Sequence, residues 1–268
     1  MTKAQIEKGM VPRKGFDNQM KVIITTVAHG GHYPRAAARM IERFNSASPG
    51  YEIQAWVNCY PPGSPGDVVV NDWNFGPYCA KPFALEYARQ CGADVAILLD
   101  ASFFPCRPIQ PLVEHIQRNG YYLCRNGFNV GEWTSDAALE FFGVSRDASF
   151  EMDEISSYCV GVDLNHQQAL DCVLHWPSST PSFPGPHTAT GQPGRNPGFV
   201  STDPRVKGHR HDQSALSIIA NRLGMDRLSE RPFLTAYHLG YGGLFPNENT
   251  VLVNHGVIEG WTEGKDLK

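Results

Sequence analysis

The first feature with chemical potential is an aspartate that closes an apolar run. In Ala93-Asp-Val-Ala-Ile-Leu-Leu-Asp100 the carboxylate falls at the end of a strand-like segment. Ligands of open α/β sheets bind beyond the carboxyl ends of the strands, so Asp100 is placed to face a site. An Asp ahead of Pro105 also caps turns, and both readings stand. Asp212, in His209-Arg-His-Asp-Gln-Ser214, precedes an apolar helical stripe. As an N-cap it accepts a backbone N–H; as a general base it takes a proton from a bound hydroxyl. The positive end of a helix dipole lowers a carboxylate pKa and makes it a weaker base.

Histidines form two close pairs. His29-Gly-Gly-His32 ends the first apolar run, and His209-x-His211 precedes the last clear helix. Glycines let a backbone approach a ligand, and a helix opening near Pro34 presents N–H groups to anions. Read as metal ligands, the pairs point to a metal-dependent hydrolase, but no supporting Asp/Glu pattern accompanies them. Asp153-Glu154 is an acidic pair that reads as a solvated turn or a ligand contact. Trp133 and Trp176 have faces for stacking on a sugar or base, and equally the bulk of core residues. Arg195, Arg205, Lys207 and Arg210, with His209 and His211, oppose only Asp203. This basic segment suits phosphates or an acidic partner, or is a solvated loop.

The elements that must position these residues follow from periodicity. Residues 1–20 are polar and non-periodic and read as a tail; 21–268 read as one domain. Strands are expected at Lys21–Ala28, Glu52–Val57, Ala93–Asp100, Tyr121–Cys124 and Ile155–Val162. Helices are expected from Pro34, over Lys81–Cys91, Ile109–Arg118 and Asp136–Phe142, over Gln167–His175 with Leu170, Val173 and Leu174 inward, and from Gln213 to Leu223. This alternation is the grammar of an α/β sheet with crossover connections. Pro177–Pro204 holds seven Pro and four Gly, which makes it a long loop expected to close on a ligand.

Absent motifs narrow the chemistry. There is no dinucleotide fingerprint after the first strand, no P-loop and no Gly-x-Ser-x-Gly elbow. A net charge of −4 provides no basic field for coating nucleic acid, and 41% hydrophobic with 19% charged residues excludes a disordered chain. Seven cysteines, an odd number without Cys-x-x-Cys, signal neither a disulfide framework nor a zinc ribbon. With no apolar h-region and no run long enough to span a bilayer, the expected location is cytoplasmic.

The order of Lys21–Ala28, Lys81-Pro-x-x-Leu-x-x-Ala88, Asp100-Ala-Ser102 with Arg107-Pro-Ile109, Tyr158–Val162, Leu174-His-Trp176 and His209–Ser214 running on to Ile219 resembles a GT-A-fold glycosyltransferase. The resemblance covers about residues 21–240. It implies a GT-A-like (Rossmann-like) mixed sheet flanked by helices, with the long Pro/Gly-rich loop beside it. It also implies a nucleotide-sugar donor, a UDP-sugar first, held by Thr26, Ala28, His29, Lys81, Asp100, Ala101 and Ser102. Asp212 would act on the acceptor, which Asp153, Glu154, Trp133 and His211 would bind. The acceptor would be a carbohydrate or protein hydroxyl, with a hydroxymethylated DNA base as the alternative; a non-catalytic glycan-binding module is the reading outside enzymes. The family usually holds Mn²⁺ or Mg²⁺ on Asp-x-Asp, whereas this chain has Asp100-Ala-Ser102, and a hydroxyl is a poorer ligand for a hard cation than a carboxylate. Either Asp100 holds the ion with a C-terminal histidine, His238 before His255, or it binds more weakly, or cationic side chains replace it.

Overall fold

The computed structural model describes residues 20–64, 69–70, 73–74, 76–184, 200–226, 233–236 and 248–254. The chain opens with β1 (Val22–Ala28), α1 (Tyr33–Ala47) and β2 (Glu52–Val57), then a short pair, β3 (Val69–Val70) and β4 (Trp73–Asn74). Next come α2 (Gly76–Gln90), β5 (Val95–Leu99), β6 (Phe103–Pro105), α3 (Gln110–Asn119) and β7 (Tyr121–Asn129). After α4 (Asp136–Phe142) and α5 (Arg146–Phe150) follow β8 (Asp153–Asp163), α6 (Gln167–Ser178) and α7 (His211–Arg222). The last strands among the described residues are β9 (Leu234–Ala236) and β10 (Leu252–Asn254).

The main sheet has the order β2-β1-β5-β8-β7. β2, β1 and β5 are parallel, while β8 runs antiparallel to both β5 and β7. The expected mixed α/β sheet flanked by helices is therefore present. Its reversed strand brings the start of β8 to the same edge as the ends of β1, β5 and β7. A second sheet, β6-β10-β9, is built directly behind the turn that follows Asp100.

Both faces of the sheet are covered, which is why the central strand β5 is apolar throughout and buried at every position. One face packs Leu85 and Ala88 of α2, Trp176 of α6 and Leu216 of α7 against Ile23, Ala96 and Val160. The other packs Met40 and Phe44 of α1 and Leu112, Val113 and Ile116 of α3 against Ile24, Ile97 and Tyr122. Gly161 makes the α3 contact possible, since a Cβ there would lie 2.4 Å from Ile116 Cδ1.

Several boundaries differ from the sequence reading. α2 begins at Gly76 rather than Lys81, because Pro77 in a first turn forfeits no helical hydrogen bond. That shift sets Lys81 one turn beyond Tyr78, on the same face. The unforeseen α5 is capped by Ser145 Oγ, which accepts from Ala148 N–H. α6 continues through Trp176 to Ser178, and its inward face is Ala169, Cys172, Val173 and Trp176. Leu174 is exposed instead. Of the long loop, Thr180–Ser182 form a 3-10 turn, and 185–199 lie outside the described residues, as do 1–19, Arg195, His238 and His255.

Candidate active site

A cavity of about 260 Å³ opens beyond the carboxyl ends of β1 and β5. Its described lining is Val27 and His29 from the end of β1, Tyr33 from the start of α1, Tyr78 and Lys81 from α2, and Asp100 with Ala101 from the end of β5. His29 stacks on Tyr60 at 5.0 Å between ring centroids, which fixes its ring at the mouth. Asp100 follows strand β5, whose neighbour β8 accepts its N–H at the Tyr158 carbonyl, 2.8 Å away.

Lys81 is the centre of the charge arrangement. Its ammonium lies 2.7 Å from Asp100 Oδ1 and 3.4 Å from Asp212 Oδ2, so one cation is shared by two carboxylates from distant parts of the chain. Burial by itself would push the Lys81 pKa down, but the charges of Asp100 and Asp212 outweigh it and hold the pKa well above its ordinary value. Lys81 is therefore a fixed positive charge. Tyr78 beside it is pushed up to about 12, by burial first and then by the charge of Asp212, so the phenol keeps its proton.

Asp212 is not a helix cap. The cap position of α7 is Arg210 and carries no side-chain cap hydrogen bond; Asp212 lies within the first turn and is only 2% exposed. Its carboxylate is turned to Lys81 and to the Ser157 hydroxyl. Burial raises its pKa against the opposing pull of Lys81, which corrects the lowering expected from the helix dipole. Desolvation outweighs the dipole because the group is enclosed. The raised pKa makes Asp212 a stronger base when ionised.

The turn that delivers Asp212 is held under strain. His211 has a φ of 41°, in the left-handed region that non-glycine residues rarely adopt. Around it, Trp176 Nε1–H donates to the Asp212 carbonyl at 3.0 Å, and Arg210 N–H donates to Ser214 Oγ at 3.2 Å. The His211 ring meets Tyr78 edge-on at 4.9 Å and lies 5.3 Å from His209.

Other expected site residues are placed differently. Thr26 and Ala28 are fully buried and are not among the described lining residues; Val27, which the sequence reading passed over, takes their place. Ser102 is buried, and its carbonyl accepts from Arg39 Nη2 at 3.2 Å. Trp133 is buried with the Arg210 guanidinium 3.6 Å from its ring centre, so the stacking face expected for an acceptor is covered by a side chain of the protein itself. Glu154 is buried too, ion-paired with Arg210, and also accepts from Asn126 at 2.9 Å and Gln213 at 3.0 Å. Trp176, with no exposure, is a core residue.

Asp153 lies elsewhere, on a second and larger cavity. This one, about 590 Å³, is lined by residues 125–129 of β7 with Glu132 and Asp153. Because β8 is reversed, this cavity opens at the same sheet edge as the first.

The basic segment is neutralised locally. Arg205 pairs with Asp203 and Asp147, Lys207 with Glu132, and Arg210 with Glu154. His209 accepts from Ser135 N–H at Nδ1, and its Nε2 faces the carbonyls of Ser182 and Phe183, which defines a neutral Nε2–H ring. Burial lowers its pKa to about 4. None of these described residues forms the cationic stripe that a nucleic-acid partner requires.

No group of three His, Cys, Asp or Glu gathers among the described residues, so neither histidine pair makes a metal site there. The Mn²⁺ or Mg²⁺ implied by the resemblance would take Asp100 as a ligand. Asp100 is instead engaged by Lys81, and the described residues alone do not fit a divalent ion. No helix of the described residues is long and apolar enough to cross a membrane.

No family model and no curated protein matches the chain. Among solved structures, it is similar to mouse xyloside xylosyltransferase 1 in its apo form, at 10% identity and a TM-score of 0.45 over 88% of this chain and 97% of that one. It is similar to galactosyltransferase LgtC bound to donor and acceptor sugar analogues, at 9% identity and a TM-score of 0.45 over 87% and 86%. A glycosyltransferase involved in glycosylation of the major capsid of PBCV-1 matches at 14% identity and a TM-score of 0.38 over 71% and 82%. All three are glycosyltransferases. At these identities and scores the likeness assigns neither a residue nor a substrate to this chain.

Proposed function

We propose that this protein is a nucleotide-sugar-dependent glycosyltransferase, moving a sugar from a nucleoside-diphosphate donor, UDP first, to a hydroxyl of a carbohydrate or protein acceptor. The observation that carries the reading is the ammonium of Lys81, held between Asp100 and Asp212 on the wall of the cavity beyond β1 and β5. The donor diphosphate would lie along this wall, its leaving oxygen beside Lys81. Asp212, which lies behind Lys81 and outside the described lining, would accept the acceptor hydroxyl proton once the acceptor is seated against it, while the sugar–phosphate bond breaks and its electron pair passes to the diphosphate. Charge growing on the leaving oxygen is stabilised by a positive group already fixed in place. Asp100 holds that group.

The acceptor would approach along β8 from the second cavity. There the Arg125–Asp153 pair and the amides of Asn126 and Asn129 suit an uncharged, hydroxyl-rich molecule better than a polyanion. Paired Arg205, Lys207 and Arg210 support the same preference over DNA.

The deciding experiment incubates the full chain with UDP-, GDP- and CMP-sugars and measures free nucleotide. Release by the native chain that is lost in Asp100→Asn is the expected result. No release from any donor, with or without Mn²⁺, overturns the reading.

A further inference from the structure

β5 pairs with only the second half of β8, from Cys159 to Asp163. The first half of β8 extends past it, and there its backbone meets α7 in place of a strand. Gln213 Oε1 accepts from Ser157 N–H at 3.3 Å, Ser217 Oγ accepts from Ile155 N–H at 2.8 Å, and Asn221 Nδ2 donates to the Asp153 carbonyl at 3.0 Å. The helix residues are spaced by four and the strand residues by two, running in opposite directions. Four helical residues rise about 6 Å and two strand residues about 6.6 Å, so the repeats coincide for three rungs. Two rungs are tied back to the helix itself, Ser217 Oγ to the Gln213 carbonyl at 2.7 Å and Asn221 Nδ2 to the Ser217 carbonyl at 2.8 Å. Gln213 Nε2 also donates to the buried Glu154.

We infer that this ladder of Gln213, Ser217 and Asn221 on β8 sets the axial position of α7 and thereby holds Asp212 against Lys81, making the three polar side chains positioning residues of the site. An apolar helix–strand contact sets the helix position by side-chain shape alone, whereas hydrogen bonds add a requirement of direction and distance. Three directional bonds at matched spacing permit one register. Gln213 is the rung next to Asp212. Both oxygen and nitrogen of its carboxamide are engaged by Ser157 and Glu154, so it acts through Asp212. Asn221 is nine residues on, roughly 13 Å along the helix, and acts from outside the cavity.

The catalytic part of this inference rests on Asp212 acting on the acceptor; the positional part does not. Full-length protein labelled with [ε-¹³C]lysine, its Lys81 signal assigned with Lys81→Arg, reports the Asp212–Lys81 contact without any substrate. Asn221→Leu and Ser217→Ala are expected to move the Lys81 signal in the same direction as Asp212→Asn, and Ser217→Thr, which keeps the hydroxyl, to restore it. With a donor that turns over, Asn221→Leu is expected to lower kcat by about 10- to 100-fold with donor KM within twofold, as small misplacements of a reacting group do. A Lys81 signal identical to the native one in Asn221→Leu and Ser217→Ala overturns the ladder as a positioning device, even if the melting temperature falls. A native chain that releases no nucleotide removes the transferase reading, and the Lys81 signal alone then decides the positional claim.

Discussion

Lys81 Nζ lies 3.4 Å from Asp212 Oδ2, across a sequence separation of 131 residues (212 − 81), with Asp212 enclosed by protein and Lys81 between it and the cavity. Removing the cation strands a buried carboxylate. Lys81→Met is expected to lose about 3 kcal/mol of stability near pH 8, the usual consequence of breaking a buried pair. The Asp212 pKa, already raised by burial, rises further in this variant. A carboxylate with a folded-state pKa above its unfolded value costs stability as pH rises through that interval, so the loss shrinks on acidification. Urea melts of Lys81→Met and native chain at pH 8 and pH 5 measure the difference.

Asp212→Asn separates the roles of cap and base. Since Asp212 makes no cap hydrogen bond, Asn does not weaken the helix terminus. The expected outcome is a fall in kcat of about 10²- to 10⁴-fold, the range for loss of general base catalysis, with donor affinity kept. Calorimetry with a nucleoside diphosphate and steady-state rates supply the two numbers.

His209 makes the fold sensitive to acid. Its pKa is about 4 in the folded chain against 6.5 when free, so between these values the unfolded state binds the extra proton. Stability therefore rises with pH across that window and is lost as pH falls, by roughly 3 kcal/mol at most for a shift of this size. Asp212, raised in the folded state, acts in the opposite sense over its own interval. His209→Gln keeps an acceptor and a donor at the two ring-nitrogen positions and removes the titration. Its denaturation midpoint is expected to vary less between pH 7 and pH 5 than that of the native chain.

Gly161→Ala tests the packing of α3 on the sheet. The added methyl meets Ile116 Cδ1 at 2.4 Å and Tyr122 Cβ at 3.3 Å. Overpacking of this kind is expected to cost about 1–3 kcal/mol, read from a urea midpoint, and Ile116→Val in the same chain to recover part of it.

The strands and helices around the site are legible in the chain where apolar periodicity is strong. β2 and α4 match their expected ends, and Asp100 and Lys81 stand at a strand end and on a helix facing a cavity. What periodicity cannot carry is orientation and partnership. Ile155–Val162 reads as a strand, but nothing in its residue order says that it runs backwards between β5 and β7. The inward face expected at Leu170 and Leu174 is displaced because Trp176, the largest side chain of α6, sets the helix rotation and leaves Leu174 outside. The basic segment looks cationic in sequence, since its acids, Asp147, Glu132 and Glu154, are remote along the chain. The ladder does leave a trace: Gln213, Ser217 and Asn221 form a polar line at intervals of four on a helix otherwise buried nearly all round. Polar residues at that spacing on an enclosed helix are bound to something, and here it is the free edge of a strand.

The small β6-β10-β9 sheet has a consequence for the order in which the protein is made. β6 begins three residues after Asp100, and its antiparallel partner β10 comes 147 positions later (252 − 105). While the chain emerges from the ribosome, the aspartate turn has β1 and β5 behind it but no outer strand until residues 252–254 appear. The segment that follows the Asp100 turn therefore has to wait for residues 252–254 before its antiparallel neighbour exists, and a chain cut short of them would carry β1 and β5 with β6 unpaired on that edge.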